Sequence, residues 1–382
     1  MPITKTRYRA SLLLALVAAP SAQADDDVTL KASGRLHYEF AYFDNDRRGT
    51  PERDGDDLRS AWLAIAGKFH VIDYKFEADF AGHRPVARDA YIARSIGSTT
   101  LLLGQFKPIS PLDDRISTNH APTVERSWLM QTLPPSYRLG VGATGHHDGM
   151  FWGASLYSLE SIDAWKHKGS AVGTRIGYAP WHSPGQVLHL GMSAARENYD
   201  HPGTRGAAPL RVQLRTAGYF ADNSRLALID YRSGRDVEAT KLALESAGVH
   251  GAFSWQAEYG KVRYNDGQQR GEVQSGYVLG SWVITGESPS YDVKAGRFGP
   301  IKPTRRSGAW ELEAQYDQIR GRQWPLDRHE GAADAWTVGV NWYAPRHVRL
   351  MLDWTDSRRR ATPGGRTLDH TGVLAGRVQF DF

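Results

Sequence analysis

Between Val28 and Phe40 apolar and polar side chains alternate. Val28, Leu30, Ala32, Gly34, Leu36, Tyr38 and Phe40 form one set, and Thr29, Lys31, Ser33, Arg35, His37 and Glu39 form the other. A period of two places the sets on opposite faces of an extended strand. The same alternation marks Tyr74–Phe80, Phe253–Tyr259, Trp310–Tyr316, Val348–Trp354 and Gly372–Phe382. The pattern predicts sixteen strands, at 28–43, 57–70, 71–81, 88–97, 98–106, 136–146, 149–161, 169–180, 186–196, 236–249, 251–264, 272–285, 308–320, 331–343, 347–357 and 367–382. Stretches 197–235, where Arg225–Tyr231 reads extended, and 291–299 are expected as loops folded against the strands.

Alternating strands suit a two-sheet sandwich, a soluble barrel or a membrane barrel. Three features favour the membrane barrel. The strands are long, where a tilted spanning strand needs about 9–11 residues. Aromatics lie near the ends of the apolar faces, as an interfacial girdle requires; Trp310 and Trp354 fit it by register. The polar faces carry carboxylates and guanidiniums, which need a wet interior. An even strand number lets an antiparallel barrel close without an edge exposed to lipid. The expected fold is therefore all-β, a transmembrane antiparallel β-barrel of sixteen strands.

The first residues add an export signal. Lys5, Arg7 and Arg9 precede the apolar run Ser11–Ala19, and Ala22-Gln23-Ala24 has the small-x-small form of a cleavage site. Residues 1–24 are expected as a signal peptide and 25–382 as one barrel domain in the outer membrane. No later stretch approaches the ~20 continuous apolar residues of a spanning helix. The 47 basic residues of the chain, less Lys5, Arg7 and Arg9, leave 44 against 42 acidic ones, so global charge identifies no anionic partner. The absence of cysteine excludes disulfides, thiolate metal sites and a cysteine nucleophile.

From Gly104 to Arg138 the chain holds Pro108, Pro111, Pro122, Pro134 and Pro135, which exclude a central strand. Ile116, Val124, Trp128, Leu129 and Met130 give the same segment apolar anchors. A loop folded into the barrel would dock them on the wall and bring Arg115, Glu125 and Arg126 to the narrowest point. The plain alternative is an extracellular surface loop. An anion in a narrow lumen loses part of its water shell, and several weak cationic sites must offset that loss. Arginine suits the task with its fixed charge and planar fork. The inward register adds Lys31, Arg35, Lys75, Lys241, Arg349 and Arg377 as candidates. Each could instead form a wall ion pair, as Arg35 with Glu39 or Lys75 with Glu77. Tyr91, Tyr137 and Tyr157 could face the opening, although barrel aromatics more often form girdles.

Other chemistries find less support. His146-His147-Asp148 reads as a hairpin turn without a third ligand at useful spacing, so no metal and no cofactor are expected. No G-x-S-x-G elbow is present, and no basic helix or aromatic platform suggests nucleic acid.

Leu103-Gly104-Gln105-Phe106-Lys107-Pro108, Glu125-Arg126-Ser127, Leu133-Pro134-Pro135 and Arg138-Leu139-Gly140 resemble the phosphate-selective porin O and P family. So do Thr285-Gly286-Glu287, Gly296-Arg297-Phe298, Gly308-Ala309-Trp310-Glu311-Leu312 and Asn341-Trp342-Tyr343, in family order. The resemblance implies a homotrimeric outer-membrane channel with an inward-folded constriction loop, passing phosphate or polyphosphate. It places Lys107 at the strand–loop join and Arg126 on the constriction loop. A terminal aromatic, here Phe382, resembles the signal read by the outer-membrane assembly machinery. The expected function is passive, anion-preferring diffusion of phosphate, polyphosphate or chloride. Inward Glu77, Asp79, Glu258 and Glu311 keep a general, cation-tolerant porin open as an alternative. A structural or enzymatic barrel with a plugged lumen is another.

Overall fold

Each alternating segment becomes a stave of one closed wall. The computed structural model describes residues 28–45, 50–108, 110–165, 167–204, 206–223, 225–325, 331–361 and 365–382; the expected signal peptide lies outside them. The first nine strands are β1 (Val28–Asp44), β2 (Gly55–Phe69), β3 (Ile72–Asp79), β4 (Val86–Ile96), β5 (Thr99–Phe106), β6 (Arg138–His147), β7 (Met150–Ser158), β8 (Gly169–Ser183) and β9 (Gln186–Tyr199). A hairpin of β10 (Leu210–Arg215) and β11 (Arg225–Tyr231) follows. The wall resumes with β12 (Val237–His250), β13 (Phe253–Asn265) and β14 (Arg270–Val283). A second hairpin, β15 (Pro289–Asp292) and β16 (Arg297–Ile301), precedes β17 (Ala309–Trp324), β18 (Gly331–Tyr343), β19 (Val348–Ala361) and β20 (Thr367–Asp381). Sixteen strands, all but the two hairpins, pair antiparallel in sequence order, and β20 pairs with β1 to close the barrel.

All sixteen predicted strands are wall strands, with ends displaced by four residues or fewer. The stretch expected as a loop at 197–235 contains one hairpin and that at 291–299 lies within the other, and both hairpins pair with themselves and not with the wall.

β17 shows why the wall forms. Glu311, Glu313, Gln315 and Asp317 are buried toward the lumen, while Trp310, Leu312 and Ala314 face out. Outward apolar side chains suit lipid, and a closed ladder supplies the backbone with partners there. The connections at one end are tight, apart from the β14–β17 connection that carries the β15–β16 hairpin. Between β6 and β7, Asp148 and Gly149 have φ of 44° and 78°, the two positive values of a type I′ turn. Both barrel termini share this end, and longer loops occupy the other, the extracellular end in a barrel of this kind. Trp152, Trp181, Phe253, Trp282, Trp310 and Trp342 face out near the tight turns as an interfacial girdle. Trp354 also faces out but sits in mid-strand, over Gly372.

The last residue seals the wall. Gly34 N–H donates to the Phe382 carbonyl at 2.9 Å, and Phe382 N–H returns a bond to Gly34 at 3.0 Å. The Phe382 ring lies over Gly34, where a Cβ would stand 2.5 Å from Cζ, so the glycine makes room for it.

The lumen is partly filled from both ends. The β10–β11 hairpin descends from the loop end and packs Leu214, Leu228, Ile229 and Tyr231 on inward Val262, Tyr264, Val273 and Ile319. Leu228 is fully buried. Leu228→Ala is expected to cost about 2–5 kcal/mol of hairpin docking through the cavity it leaves. Faster proteolysis between β10 and β11, with unchanged barrel circular dichroism, would be the readout; wild-type cleavage would contradict it. The β15–β16 hairpin enters from the turn end. Its Tyr291 hydroxyl lies 2.7 Å from His189 Nδ1, and Arg175 donates to the Gly296 carbonyl at 2.8 Å.

Candidate functional site

The long connection from β5 to β6 carries two short helices, α1 (Leu112–Arg115) and α2 (Trp128–Thr132), and runs inside the barrel. Its irregular backbone needs partners there, because an unmade buried hydrogen bond costs about 1–3 kcal/mol. Wall carboxylates supply acceptors. Glu258 on β13 takes the N–H groups of Leu112 at 2.9 Å and Asp113 at 2.8 Å, and the Tyr277 hydroxyl at 2.7 Å. Asp353 on β19 takes Val124 N–H at 2.7 Å, and Asp317 on β17 takes Trp128 N–H at 2.8 Å.

Wall donors serve the loop carbonyls. Arg349 reaches Ala121 at 2.8 Å and Pro122 at 3.1 Å, and Asn341 reaches Pro122 at 2.8 Å. Arg377 bonds the Val124 carbonyl while its Nε holds Glu39 at 2.7 Å. Lys241 donates to the Leu133 carbonyl at 2.7 Å and pairs with Glu197 at 2.8 Å. Lys241, Arg349 and Arg377, grouped by inward register with the solute contacts, are thus turned to the loop. Alternation reports which face a side chain takes, and a folded-in segment intercepts it.

The lumen along β1 to β6 remains open. A cavity of about 360 Å³ there is lined by Arg35, Lys75, Lys107, Arg115, Arg126 and Arg297, against three carboxylates, Glu77, Asp89 and Asp114. Tyr91 and Tyr137 also line it, whereas Tyr157 is buried elsewhere against Glu197, 3.0 Å away. Nearer the turn end, a cavity of about 390 Å³ is lined by Arg115, Arg175, Lys294 and His146, with no carboxylate among its described lining. Arg115 and Thr144 line both cavities, so the two adjoin at these residues.

The cations differ in how far they are engaged. Lys75 pairs with Asp89 at 2.5 Å and Glu77 at 3.1 Å, and Lys107 with Asp114 at 2.8 Å. Arg126 pairs with Asp113 at 2.9 Å and also reaches the carbonyls of Asp113 and Ile116, so it clamps the loop to itself. Arg35 stacks on Trp62, 3.2 Å from the ring centroid, and donates to Asn119 at 3.3 Å. The Arg115 side chain makes no hydrogen bond or ion pair among the described residues. Burial, then the nearby Arg175 and Arg297 guanidiniums, lower its pKa to about 10 against the weaker opposite pull of Asp114 and Asp89, so it stays charged at neutral pH without forming an ion pair among the described residues. Arg297 makes one long bond, 3.4 Å, to the Arg115 carbonyl. Lys31 is exposed on the same face of β1 as Arg35, toward the turn end, and lines neither cavity.

Arg175, Lys294 and Arg297 escape a reading by strand register. Arg297 and Lys294 sit on or beside the inserted hairpin, whose sequence shows no long alternation. Arg175 alternates inward on β8 within a polar-poor run, Ala171-Val172-Gly173-Thr174-Arg175-Ile176-Gly177, and that single inward guanidinium is the signal that could have found it.

A closed antiparallel barrel with an apolar outer belt, a charged lumen and a loop folded across it is an outer-membrane diffusion channel, a porin. The chain belongs to the phosphate-selective porin O and P family, whose profile matches residues 30–382. It is 25% identical to Porin O of Pseudomonas aeruginosa over 405 residues, covering 94% of this chain and 90% of that one. Among solved structures it is similar to outer-membrane expressed OmpT of Vibrio cholerae, with a TM-score of 0.62 at 10% identity over 94% of this chain and 99% of the other. The outer membrane channel DcaP of Acinetobacter baumannii gives a TM-score of 0.59 at 12% identity over 94% and 99% of the two chains. These likenesses concern the fold. The chain is an outer-membrane porin of a Gram-negative bacterium.

Proposed function

We propose that the passage carries small inorganic anions of the phosphate class, with chloride as a less favoured permeant. The observation that carries this reading is Arg115: a guanidinium without a carboxylate partner among the described residues, at the junction of two cavities and facing Arg297 and Arg175. Six cations against three carboxylates around the first cavity, and no carboxylate in the described lining of the second, leave a positive path. An anion entering it exchanges water for guanidinium donors at successive sites, and no single site closes around it. The family description and the name of the Pseudomonas relative agree with this choice of solute.

The general, cation-tolerant alternative rested on inward carboxylates. Glu258 is used as an acceptor for the loop, and Glu311 takes the Tyr343 hydroxyl at 2.5 Å and lies 3.8 Å from Arg349. Asp79 pairs with Arg88 at 2.8 Å. Only Glu77 of the four lines the passage, beside Lys75. The reading is of transport without a chemical step. A homotrimer is the assembly that goes with it, by family likeness. Reversal potential under a salt gradient, with phosphate titrated against chloride, tests the proposal; cation-side reversal would refute it.

Phe382 is proposed as the residue that both closes the seam and presents a terminal aromatic for assembly. Deleting it is expected to lower folded, membrane-inserted protein several-fold while secreted precursor is unchanged. Quantitative immunoblotting of the two pools checks this, and an equal fall in both would contradict it.

A further inference from the structure

Part of the docking of the β5–β6 loop rests on two carboxyl groups that also face each other. The register sets Glu313 of β17, Gly339 of β18 and Asp353 of β19 in one inward row. With only a glycine between them, the outer two meet: a Cβ at Gly339 would collide with both Glu313 Oε1 and Asp353 Oδ1. The two carboxyl groups hydrogen-bond to each other there, and neither of these oxygens has a donor from any other side chain or backbone among the described residues. Their remaining oxygens carry the loop. Asp353 Oδ2 takes Val124 N–H at 2.7 Å. Glu313 Oε2 takes the Asn341 amide at 3.1 Å, and that amide also donates to the Pro122 carbonyl at 2.8 Å. Both carboxyl groups are buried.

A hydrogen bond between two carboxyl groups needs one proton, and without it two buried carboxylates repel at close range. The charged groups facing the pair do not remove that need. Arg349 on β19 donates to loop carbonyls and lies beside Glu311, Arg377 on β20 holds Glu39 of β1, and Arg126 on the loop holds Asp113. Glu311 and Asp317 on β17 and Glu125 on the loop add negative charge, and Tyr343 on β18 donates to Glu311. We propose that one proton shared by Glu313 and Asp353 latches the β5–β6 loop at Pro122 and Val124, so that the channel widens when rising pH removes it. Both groups are then ionised, the pair separates, and the bonds to Asn341 and Val124 on its outer oxygens are lost together. The latch is complete on the acid side of this step and absent on the alkaline side.

Single-channel conductance of the full barrel in chloride alone, from about pH 5 to about pH 10, tests this; ordinary carboxyl groups are already ionised at the lower limit. The wild type is expected to show a quiet, lower conductance at the acid end and to step up about twofold, with added noise, as the loop is released. Glu313→Gln supplies an amide N–H in place of the proton and keeps an oxygen for Asn341. Asp353→Asn does the same from the other side and keeps an oxygen for Val124. Each variant should hold the acid-end conductance throughout, which also reports that it folds. Lysines titrate near the top of the window and are retained in both variants, so a step missing from them reports the pair. A flat wild-type profile, or a step that persists in either variant, would overturn the proposal, whatever anion the lumen selects.

Discussion

Replacing Arg115 with glutamine is expected to weaken phosphate block of the chloride current about tenfold and to move the reversal potential toward the cation side. A tenfold loss corresponds to about 1.4 kcal/mol, a modest demand on a guanidinium that has no competing partner among the described residues. Arg115 lines both cavities, so an anion moving from one to the other meets it. Arg115→Gln/Arg297→Gln should exceed either single change, since the two groups lie in one cavity and each raises the local potential felt at the other. Arg126 gives the contrast. It is held by Asp113 and two loop carbonyls, so Arg126→Ala should loosen the loop, seen as noisier current, with a smaller change in ion preference. Titrating phosphate against single channels of each variant separates the two roles. Equal effects of Arg115→Gln and Arg126→Ala would contradict this assignment.

Glu258→Ala should open the channel. The change strands the N–H groups of Leu112 and Asp113 and leaves the Tyr277 hydroxyl only its 3.4 Å bond to Gln256. With about 1–3 kcal/mol for each buried group left unpaired, the loss is on the order of several kcal/mol, enough to release α1 from the wall. Conductance is expected to rise several-fold, selectivity to fall, and the 107–137 segment to become open to protease, while the sixteen-strand wall persists. Glu258→Gln keeps an acceptor and should be milder. Wild-type conductance in Glu258→Ala would show that α1 is held by its other contacts, such as the packing of Leu112 and Ile116 on Val187, Ala247, Val249 and Phe298.

The wall was legible because lipid and lumen impose opposite demands on alternate residues. β17 announces itself through Glu311, Glu313 and Gln315 against Trp310, Leu312 and Ala314. The folded-in loop was legible from Pro-rich sequence that still carried Trp128 and Leu129, residues a water-exposed loop has no use for. The division of labour among the inward charges was not. Arg349 and Arg35 look alike in register, yet one donates to loop carbonyls and the other lines the passage. The difference depends on which side of the barrel the loop covers, a contact across more than two hundred residues for Arg349 with Ala121. Arg297 was hidden for a related reason. Its short hairpin pairs only with itself, so no period marked it.

The central claim is that a net positive passage, with Arg115 at its junction, prefers phosphate-class anions. Single-channel current in a planar bilayer under a salt gradient, with phosphate then titrated against chloride, tests it most directly. The account predicts reversal on the anion side and chloride current blocked by low phosphate, both diminished in Arg115→Gln. Reversal near zero or on the cation side, without block, would contradict it and leave the barrel as a general pore.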